Sequence, residues 1–365
     1  MVIIFLIPVL YYAIFLVYHT LKFKKYQPQF FENQFFVSII IPIRNESENI
    51  EKCLESIFSQ NYPTNLMEIV IVNDHSEDTT LEKLSKFSLN RNLKILDLPE
   101  NKSGKKESLA YGIEHSKGEI ILTTDGDTLR RKEWVQTMMS YFDENTAMVS
   151  GPVKLTGNSV WQQMQALEFS GLILLGAAMI ANKRPSLCNG ANLAYRKSVF
   201  KEVNGFQNID QIASGDDELL LHKIRKLKKY TIHFAKNQKA IVETPAHSNL
   251  KKFIHQRLRW TSKSTIYPDK WITFHLLMAY LANLSILGAL FVAIYKGNFW
   301  ILGSLFCIKI ISEYFILNCS TKFLGQRHVI RWLVIEQFLH ILYVLWVGLA
   351  AQFQKTYEWK GRKVK

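Results

Sequence analysis

Two aspartates separated by one glycine, Asp125 and Asp127, are the residues of this sequence best suited to chemistry on a charged ligand. The glycine lets the chain turn, so both carboxylates can converge on one hard cation. Mg²⁺ and Mn²⁺ bind such oxygens together with substrate phosphates, and a cation held there would neutralise a diphosphate leaving group. An N-cap at Asp127-Thr128 is the structural alternative, so the pair indicates a site only together with other residues.

Two later segments could complete such a site. The acidic segment Ser214-Gly-Asp-Asp-Glu218 suits a helix start, where its carboxylates could stabilise the helix dipole or supply a general base for an acceptor hydroxyl. In Gln-Arg-Leu-Arg-Trp, Gln256 and Arg259 are three residues apart and share a helix face. Arg259 could bind a diphosphate bidentately, and Trp260 could stack on a sugar or lie at a membrane interface.

Four short β-branched segments alternate with helical patterns and predict the elements that position these residues. The predicted strands cover 37–42, 68–72, 93–98 and 119–124. This alternation predicts a doubly wound α/β sheet with a parallel core, in which ligands bind beyond the carboxyl ends of the strands. Polar residues follow three of these ends, so they are expected to meet at one edge: Arg44-Asn-Glu46, Asp74 and the Asp125/Asp127 pair.

Two of the candidate binding residues have equally ordinary explanations. Asp74 could accept hydrogen bonds from a base or a ribose, or close an Asx turn. Lys105 belongs to a basic loop with Lys102 and Lys106, which could meet phosphate or be a solvated surface. The sequence therefore leaves both interpretations of this loop open, a phosphate site and a solvated surface.

Long apolar segments flank the predicted domain. Residues 1–21 lack Lys, Arg, Asp and Glu, are long enough to span a bilayer, and are followed at once by Lys22, Lys24 and Lys25. Because the basic residues come after the apolar run, an uncleaved anchor with a cytoplasmic C-terminal side is favoured over a signal peptide. Three further stretches predict a C-terminal membrane domain: 271–295, 299–317 and 332–353.

The predicted organisation is an anchor (1–21), a cytoplasmic α/β domain with interfacial helices (30–265), a membrane domain (271–354) and a basic tail (355–365). The apolar core within 161–180 is expected to be too short to span easily, and thus to lie at the interface or under the domain. Lys309 and Glu313 are expected to pair within their helix. Glu336, Gln337 and His340 slightly favour a last stretch that enters the membrane without crossing it.

Composition and charge narrow the class of protein. The 365 residues are 48% apolar, which excludes a disordered chain, and four cysteines without CxxC or CxxH spacing exclude a disulfide scaffold. The net charge of +14 is typical of proteins that bind either nucleic acid or an anionic membrane. The basic clusters at 223–229 and 251–263 adjoin apolar segments, and no nucleic-acid-binding motif is recognised, so membrane docking is favoured.

Five segments in order resemble the membrane-bound branch of family 2 glycosyltransferases, with its ceramide glucosyltransferase-like and cellulose synthase-like enzymes: 37–46, 72–80, 124–128, 215–217 and 256–260. The resemblance implies a GT-A fold inserted between an N-terminal transmembrane helix and C-terminal ones. It also implies inverting transfer of a sugar from a nucleotide-diphosphate sugar. His75 departs from the glycine that is common after the nucleotide aspartate of the family.

The resemblance also implies roles for individual residues. Asp125 and Asp127 match the DxD motif that holds metal and diphosphate, Asp217 matches the catalytic base, and Asp216 stands where the family often has Glu. Asn189 or Asn192 could touch the donor sugar or acceptor, with a tight turn at Gly190 as the alternative. The donor-binding set comprises Pro42, Arg44, Glu46, Asp74, Lys105, Asp125, Gln256, Arg259 and Trp260.

The sequence thus predicts an integral enzyme of the inner or plasma membrane that uses Mg²⁺ or Mn²⁺, a nucleotide-sugar donor and a lipid or lipid-linked acceptor, without nucleic acid. Three alternatives remain. A processive polysaccharide synthase would need a transmembrane channel. A nucleotidyltransferase would leave Gln-Arg-Leu-Arg-Trp unexplained, and the retained carboxylates speak against a non-catalytic membrane scaffold.

Overall fold

The computed structural model describes residues 2–209, 215–261, 269–353, 357–359 and 362–364. Ser214 and Lys263 lie outside the described residues. Of the predicted basic tail, only the backbone of two paired antiparallel strands is described, Tyr357–Trp359 and Arg362–Val364.

A seven-stranded mixed sheet forms the centre of the soluble domain, in the order β3-β2-β1-β4-β8-β6-β9. Its first four strands are parallel, and all four predicted strands are confirmed: β1 (Val37–Ile43), β2 (Met67–Asn73), β3 (Leu93–Asp97) and β4 (Ile120–Thr123). β8 (Leu193–Arg196) runs antiparallel to both β4 and β6 (Thr146–Ser150), while β9 (Thr231–Phe234) is parallel to β6. A smaller sheet has the order β5-β10-β7, from Leu129–Arg130, Val242–Pro245 and Val153–Thr156.

The apolar composition of β1 explains its central place. All seven residues are buried, and alternate side chains enter different cores because strand side chains alternate between faces. Ile39 and Ile41 pack in one core, while Ile40 packs in the other. A parallel strand covered on both faces is expected to read as such a continuous apolar run.

Short helices cover both faces of the sheet: α2 (Ile50–Phe58), α3 (Thr80–Ser85), α4 (Lys105–Glu114), α5 (Trp134–Met139), α7 (Lys197–Glu202) and α8 (Glu218–Lys226). Another helix, α9 (Leu250–Thr261), packs away from the sheet against α12. Single 3-10 turns occupy Thr64–Leu66, Gly190–Asn192 and Gln238–Ala240, and Arg327–Trp332 forms a longer one. α4 packs closely on the sheet through Gly112, where a Cβ would lie 2.7 Å from Ile40 Cγ2. This glycine therefore lets α4 approach β1.

Five helices among the described residues are long and apolar enough to cross a membrane: α1 (Val2–Lys25), α6 (Val160–Ala181), α10 (Lys270–Lys296), α11 (Trp300–Phe323) and α12 (Leu333–Phe353). α1 packs against α6, α10 and α11, and α12 packs against α9 and α10. α6 is long and apolar enough to cross a membrane, whereas the apolar core within 161–180 was expected to be too short to span easily. Of its most apolar 18-residue segment, 67% is buried inside the protein. It joins the soluble domain to the other long helices.

Two local features of the long helices α10 and α11 can be traced to particular residues of the sequence. Gly297 ends α10 in the left-handed conformation, with φ of 63°, which makes the tight turn before α11. The predicted pair of Lys309 and Glu313 is confirmed, with Nζ 2.6 Å from Oε1.

Candidate active site

A cavity of about 1780 Å³ runs between the soluble domain and the long helices. At its polar end it is lined by residues that follow strands β1 and β4 and precede helix α8. At its other end it is lined by α1, α6, α10, α11 and α12. The predicted residues that line it are Pro42, Arg44, Glu46, Lys105, Asp125, Asp127, Asn189, Asp216, Asp217, Gln256, Arg259 and Trp260.

The turn that follows β4 carries the two aspartates of the DxD pattern. Thr128 Oγ1 donates to the carbonyl of Asp125 at 2.6 Å and closes the turn. A Cβ at Gly126 would lie 3.0 Å from Ile43 Cγ2 and 3.1 Å from Glu46 Cγ. Glycine at this position therefore lets the turn pack against the end of β1, which brings Asp125 and Asp127 beside Arg44 and Glu46.

Lys105 lies among the carboxylates of the site. Its Nζ is 2.6 Å from Asp125 Oδ1 and 3.7 Å from Asp216 Oδ2, so it links the turn after β4 to the start of α8. Burial lowers the pKa of Lys105, but Asp125 and Asp216 raise it by more, and the net pKa is raised. The ammonium is therefore charged at neutral pH and is suited to bind phosphate.

Asp217 caps helix α8 and is held by two backbone donors. Its Oδ1 accepts from the Glu218 N–H at 2.7 Å, and its Oδ2 accepts from the Gly190 N–H at 2.9 Å. A Cβ at Gly190 would lie 3.0 Å from Asp216 Oδ2. The helix-cap explanation and the catalytic one are thus compatible, because a carboxylate oxygen has two lone pairs and a hydrogen bond from a backbone N–H uses one of them.

The two candidate asparagines occupy different environments. Asn189 lines the cavity and accepts from the Ala191 N–H, so it also makes the tight turn considered as its alternative. Asn192 is fully buried; its Oδ1 accepts from Trp134 Nε1, and its Nδ2 donates to the carbonyls of Pro152 and Ala240. Asn192 therefore supports the fold, whereas Asn189 lines the cavity.

Asp74 lies behind the cavity wall. It is fully buried, and its Oδ2 accepts from the Gly104 N–H at 2.9 Å, just before α4. Arg44 donates to the Asp74 carbonyl at 2.9 Å and thereby fixes the loop after β2. His75 follows with φ of 51°, in the left-handed region. Glycine adopts this conformation without steric cost, which explains why glycine is common here in the family that the sequence resembles.

The Gln-Arg-Leu-Arg-Trp segment lies on α9, where a buried ion pair holds it to α6. Arg257 pairs with Glu168, and Tyr343 of α12 donates to the same carboxylate. The Arg257 guanidinium also lies over the ring of Trp260, 4.5 Å from its centroid. Burial lowers the pKa of Arg257, but Glu168 and Tyr343 together raise it by more, so the net pKa is raised and this guanidinium stays charged. Arg257 therefore anchors α9, while Arg259 and Gln256 line the cavity.

Glu168 and Tyr343 were not predicted from the sequence. Glu168 is the one charged residue within 160–181. A single acidic residue in an apolar segment usually has a partner or a function, so the sequence could have singled it out. Tyr343 carried no comparable signal, because its partner lies 175 residues earlier in the chain.

The residues at the polar end fit a divalent cation shared with phosphates. Asp125 and Asp127 both line the cavity, whereas no group of three His, Cys, Asp or Glu suited to a metal ion occurs among the described residues. Mg²⁺ is usually bound by one or two carboxylates plus substrate phosphates, and Asp125 and Asp127 could supply the carboxylates of such a donor set.

Comparison with known proteins agrees with this geometry. Residues 38–203 match the model of Glycosyl transferase family 2. The chain is 32% identical over 187 residues to Glycosyltransferase AglE of Haloferax volcanii, covering 50% of this chain and 59% of that protein. It is 27% identical over 245 residues to poly-beta-1,6-N-acetyl-D-glucosamine synthase of Staphylococcus epidermidis, covering 65% and 57%. The chain thus spans less than two thirds of the length of these relatives.

A solved structure shares the fold. It is the mannosyltransferase PcManGT from Pyrobaculum calidifontis in complex with GDP-Man and Mn²⁺, with a TM-score of 0.56, 18% identity and 95% of each chain covered. At this identity the likeness concerns the fold alone, and it confirms the expected GT-A architecture. Through residues 38–203, the chain carries a family 2 glycosyltransferase domain.

Proposed function

We propose that this protein is a membrane-anchored, inverting glycosyltransferase. It moves a sugar from a nucleotide-diphosphate sugar to a hydroxyl of a lipid or lipid-linked acceptor at the cytoplasmic membrane face. The observation that carries the proposal is the cavity of about 1780 Å³, which has aspartates of the sheet edge at one end and apolar helices at the other. Such a space lets a polar donor and an apolar acceptor meet.

The polar end suits an anionic donor. Lys105 and Arg259 line it as cations, and both can donate hydrogen bonds to a diphosphate. A divalent cation held by Asp125 and Asp127 would neutralise part of the remaining phosphate charge. The mannosyltransferase that shares the fold was solved with GDP-Man and Mn²⁺, which supports a nucleotide sugar and a metal here.

The reaction needs one base and one leaving group. The acceptor oxygen attacks the anomeric carbon on the side opposite the diphosphate, and its proton passes to the Asp217 carboxylate. The bond from the anomeric carbon to the diphosphate oxygen breaks, and Lys105 and Arg259 donate to the departing anion. The configuration at the anomeric carbon is therefore inverted.

The distribution of basic residues supports the cytoplasmic face. Lys22, Lys24 and Lys25 end α1, Lys270 begins α10, and Lys322 ends α11. All five lie at helix ends next to the soluble domain, where the positive-inside rule expects cytoplasmic residues.

Turnover by the full chain in lipid nanodiscs tests the proposal. Nucleotide sugars, Mg²⁺ or Mn²⁺ and a lipid extract are supplied, and nucleoside diphosphate release and glycolipid mass are measured. Asp217→Asn is expected to abolish release, while Asp269→Asn, a change at another helix N-cap, is expected to leave it intact. Release that survives Asp217→Asn would reject the base assignment, and pyrophosphate release from nucleoside triphosphate plus sugar phosphate would indicate a nucleotidyltransferase.

A processive polysaccharide synthase is the second candidate, since one relative is named as a poly-N-acetylglucosamine synthase. Product length separates the two. A single sugar per acceptor supports the lipid glycosyltransferase, whereas a ladder of chain lengths from one acceptor supports the synthase.

A further inference from the structure

A second cavity, of about 300 Å³, lies between α6, α9 and α12. We call it the lateral groove, and its apolar lining includes Trp161, Phe253, Leu339, Leu342 and Trp346. The last three are exposed on α12, which is long and apolar enough to cross a membrane. The groove therefore continues an apolar surface that would face the hydrocarbon of a bilayer.

Polar side chains separate the lateral groove from the main cavity. Four residues line both spaces and so form the wall between them: Glu168, Glu336, His340 and Tyr343. Glu168 is fixed in this wall by its ion pair with Arg257 and by the hydroxyl of Tyr343. A chain lying in the groove would have to break this buried pair to reach the aspartates, which is costly. The groove is therefore suited to a lipid that stays in place rather than one that reacts.

The lining of the groove connects its contents to helix α9. Phe253 lines the groove, and the Arg257 guanidinium lies over its ring, 4.6 Å from the centroid. Apolar cavities stay dry and take up hydrocarbon, because water there lacks polar partners. An ion pair is also stronger where water is excluded. A hydrocarbon chain in the groove would therefore strengthen the pair of Arg257 and Glu168, which anchors α9.

One side chain of the groove indicates a polar group of its occupant. Trp161 Nε1 is a buried donor without an acceptor among the described residues. The Trp161 ring packs edge-on to Phe253, with the centroids 5.0 Å apart, so it is held in place. A buried donor without an acceptor is destabilising. An acyl ester would supply a carbonyl oxygen for this N–H and a hydrocarbon chain for the groove.

We propose that the lateral groove binds one acyl chain of an ester-linked bilayer lipid, and that this lipid supports α9 without being consumed. The proposal rests on the proposed function, which places α12 in a membrane and Arg259 of α9 at the donor. The ester carbonyl accepts from Trp161, and the chain packs on Leu339 and Leu342. The occupied groove then keeps water from the ion pair that anchors α9.

Native mass spectrometry of the full chain in detergent measures lipid retention. Dioleoyl phosphatidylcholine and its diether counterpart are supplied at equal concentrations, because they differ only in the two carbonyls. One diester per protein is expected to be retained, with about tenfold weaker retention of the diether, the effect of one hydrogen bond to a buried donor. Equal retention of the two lipids would overturn the proposal.

Trp161→Phe removes the N–H and keeps an aromatic ring, so it is expected to abolish the preference for the diester. Trp332→Phe is the matched control. Trp332 Nε1 already donates to Gln163 Oε1 at 2.8 Å, and Trp332 is not among the residues that line the groove. A preference for the diester that survives Trp161→Phe, or one that is lost equally in both variants, would reject the role of this N–H.

A second pair of variants tests the place of the chain. Leu342→Trp fills the groove from its exposed side and is expected to lower retention of both lipids at least tenfold. Ile335→Trp, at a similarly exposed residue of α12 that does not line the groove, is expected to leave retention unchanged. Retention that survives Leu342→Trp would place the lipid elsewhere and overturn the proposal.

Turnover in nanodiscs tests the effect of the lipid on α9. Leu342→Trp is expected to raise the donor KM severalfold, since Arg259 lies on α9, whereas Ile335→Trp is not. The retained diester should keep its mass after turnover, and its glycosylation would identify it as the acceptor and overturn the proposal. An unchanged donor KM in Leu342→Trp would reject the support of α9. Selective lipid retention without any sugar transfer would confirm the groove as a lipid site and count against the proposed function alone.

Discussion

At the scale of single residues, the site is organised around one cation among aspartates. Lys105 contacts Asp125 directly and lies near Asp216, so it holds the two carboxylates together. When an anionic donor enters, the same ammonium can donate to the diphosphate. Lys105 therefore has a structural role, to which the proposed function adds the binding of diphosphate.

Replacement of this lysine is expected to weaken donor binding. Lys105→Met should raise the donor KM roughly 10- to 100-fold, since a charge-assisted hydrogen bond contributes about 1.5–3 kcal/mol. Lys102→Met, a change of a more exposed lysine in the same loop, serves as the control in nucleoside diphosphate release assays. An unchanged donor KM in Lys105→Met would place the diphosphate elsewhere.

The pH dependence of donor binding offers a separate test of Lys105. Its pKa is raised above the ordinary value of 10.5, so the ammonium is present below pH 10.5 and is lost only as the pH rises through the raised value. Donor affinity measured between pH 7 and pH 10 should therefore show no loss from deprotonation of Lys105. A loss in this range that disappears in Lys105→Met would contradict the raised pKa.

Substitutions of the two asparagines near Gly190 should affect different properties, one the stability of the fold and the other the binding of the donor. Asn192→Ala removes a fully buried amide with three protein partners and is expected to lower the thermal unfolding midpoint strongly. Asn189→Ala, at the cavity wall, should instead raise the donor KM with little change in stability. The reverse pattern, measured by differential scanning fluorimetry and steady-state kinetics, would assign the sugar contact to Asn192.

At the scale of elements, helix α9 is positioned by residues of two other helices. Glu168 of α6 receives Arg257 and Tyr343, so it joins α6, α9 and α12 at one carboxylate. Arg259 and Gln256 are on the same helix as Arg257. Their place in the cavity therefore depends on a contact that lies outside the Gln-Arg-Leu-Arg-Trp segment.

Loss of this carboxylate charge is expected to destabilise the protein and shift α9. Glu168→Gln leaves the buried Arg257 without a counter-charge, a change worth about 3–5 kcal/mol. The double variant Glu168→Leu/Arg257→Met should recover most of the stability, because an apolar pair replaces the ion pair. Unfolding midpoints of Glu168→Leu, Arg257→Met and the double variant give the coupling; additive effects would show that the pair contributes nothing.

Local sequence patterns predicted the elements but not how distant ones meet. The parallel strands β1 to β4 could be predicted because their β-branched, buried residues form continuous apolar runs. The antiparallel insertion of β8 could not, since strand pairing across many residues leaves no local periodicity. The aspartates were predicted from their strand ends, whereas Glu168 and Arg257, 89 residues apart, become partners only through tertiary packing.

At the scale of the whole molecule, the soluble domain and the long helices form one packed unit. Leu167, Leu174 and Ile180 of α6 lie in a core with Leu16 of α1 and Ile316 of α11. The predicted domain 30–265 includes α6 but excludes α1 and α11. A boundary drawn from hydropathy thus cuts through a hydrophobic core.

Expression of residues 30–265 without the other long helices is expected to expose the apolar face of α6. Residues 30–265 expressed alone should aggregate without detergent, since α6 would lose its partners from α1 and α11. Size-exclusion chromatography of the segment and of the full chain in the same detergent measures this. A monodisperse segment in detergent-free buffer would show that these helices are dispensable for solubility.

The contact of Tyr343 with Glu168 also bears on how the protein is made. Ribosomes deliver α12 last among the long helices described, yet α12 supplies the hydroxyl that binds the carboxylate holding Arg257. The proposed catalytic face is therefore completed only after α12 has been made and packed. A nascent chain stalled before residue 333 would carry every predicted catalytic aspartate and the Arg257–Glu168 pair, but would lack the Tyr343 hydroxyl that also binds this carboxylate.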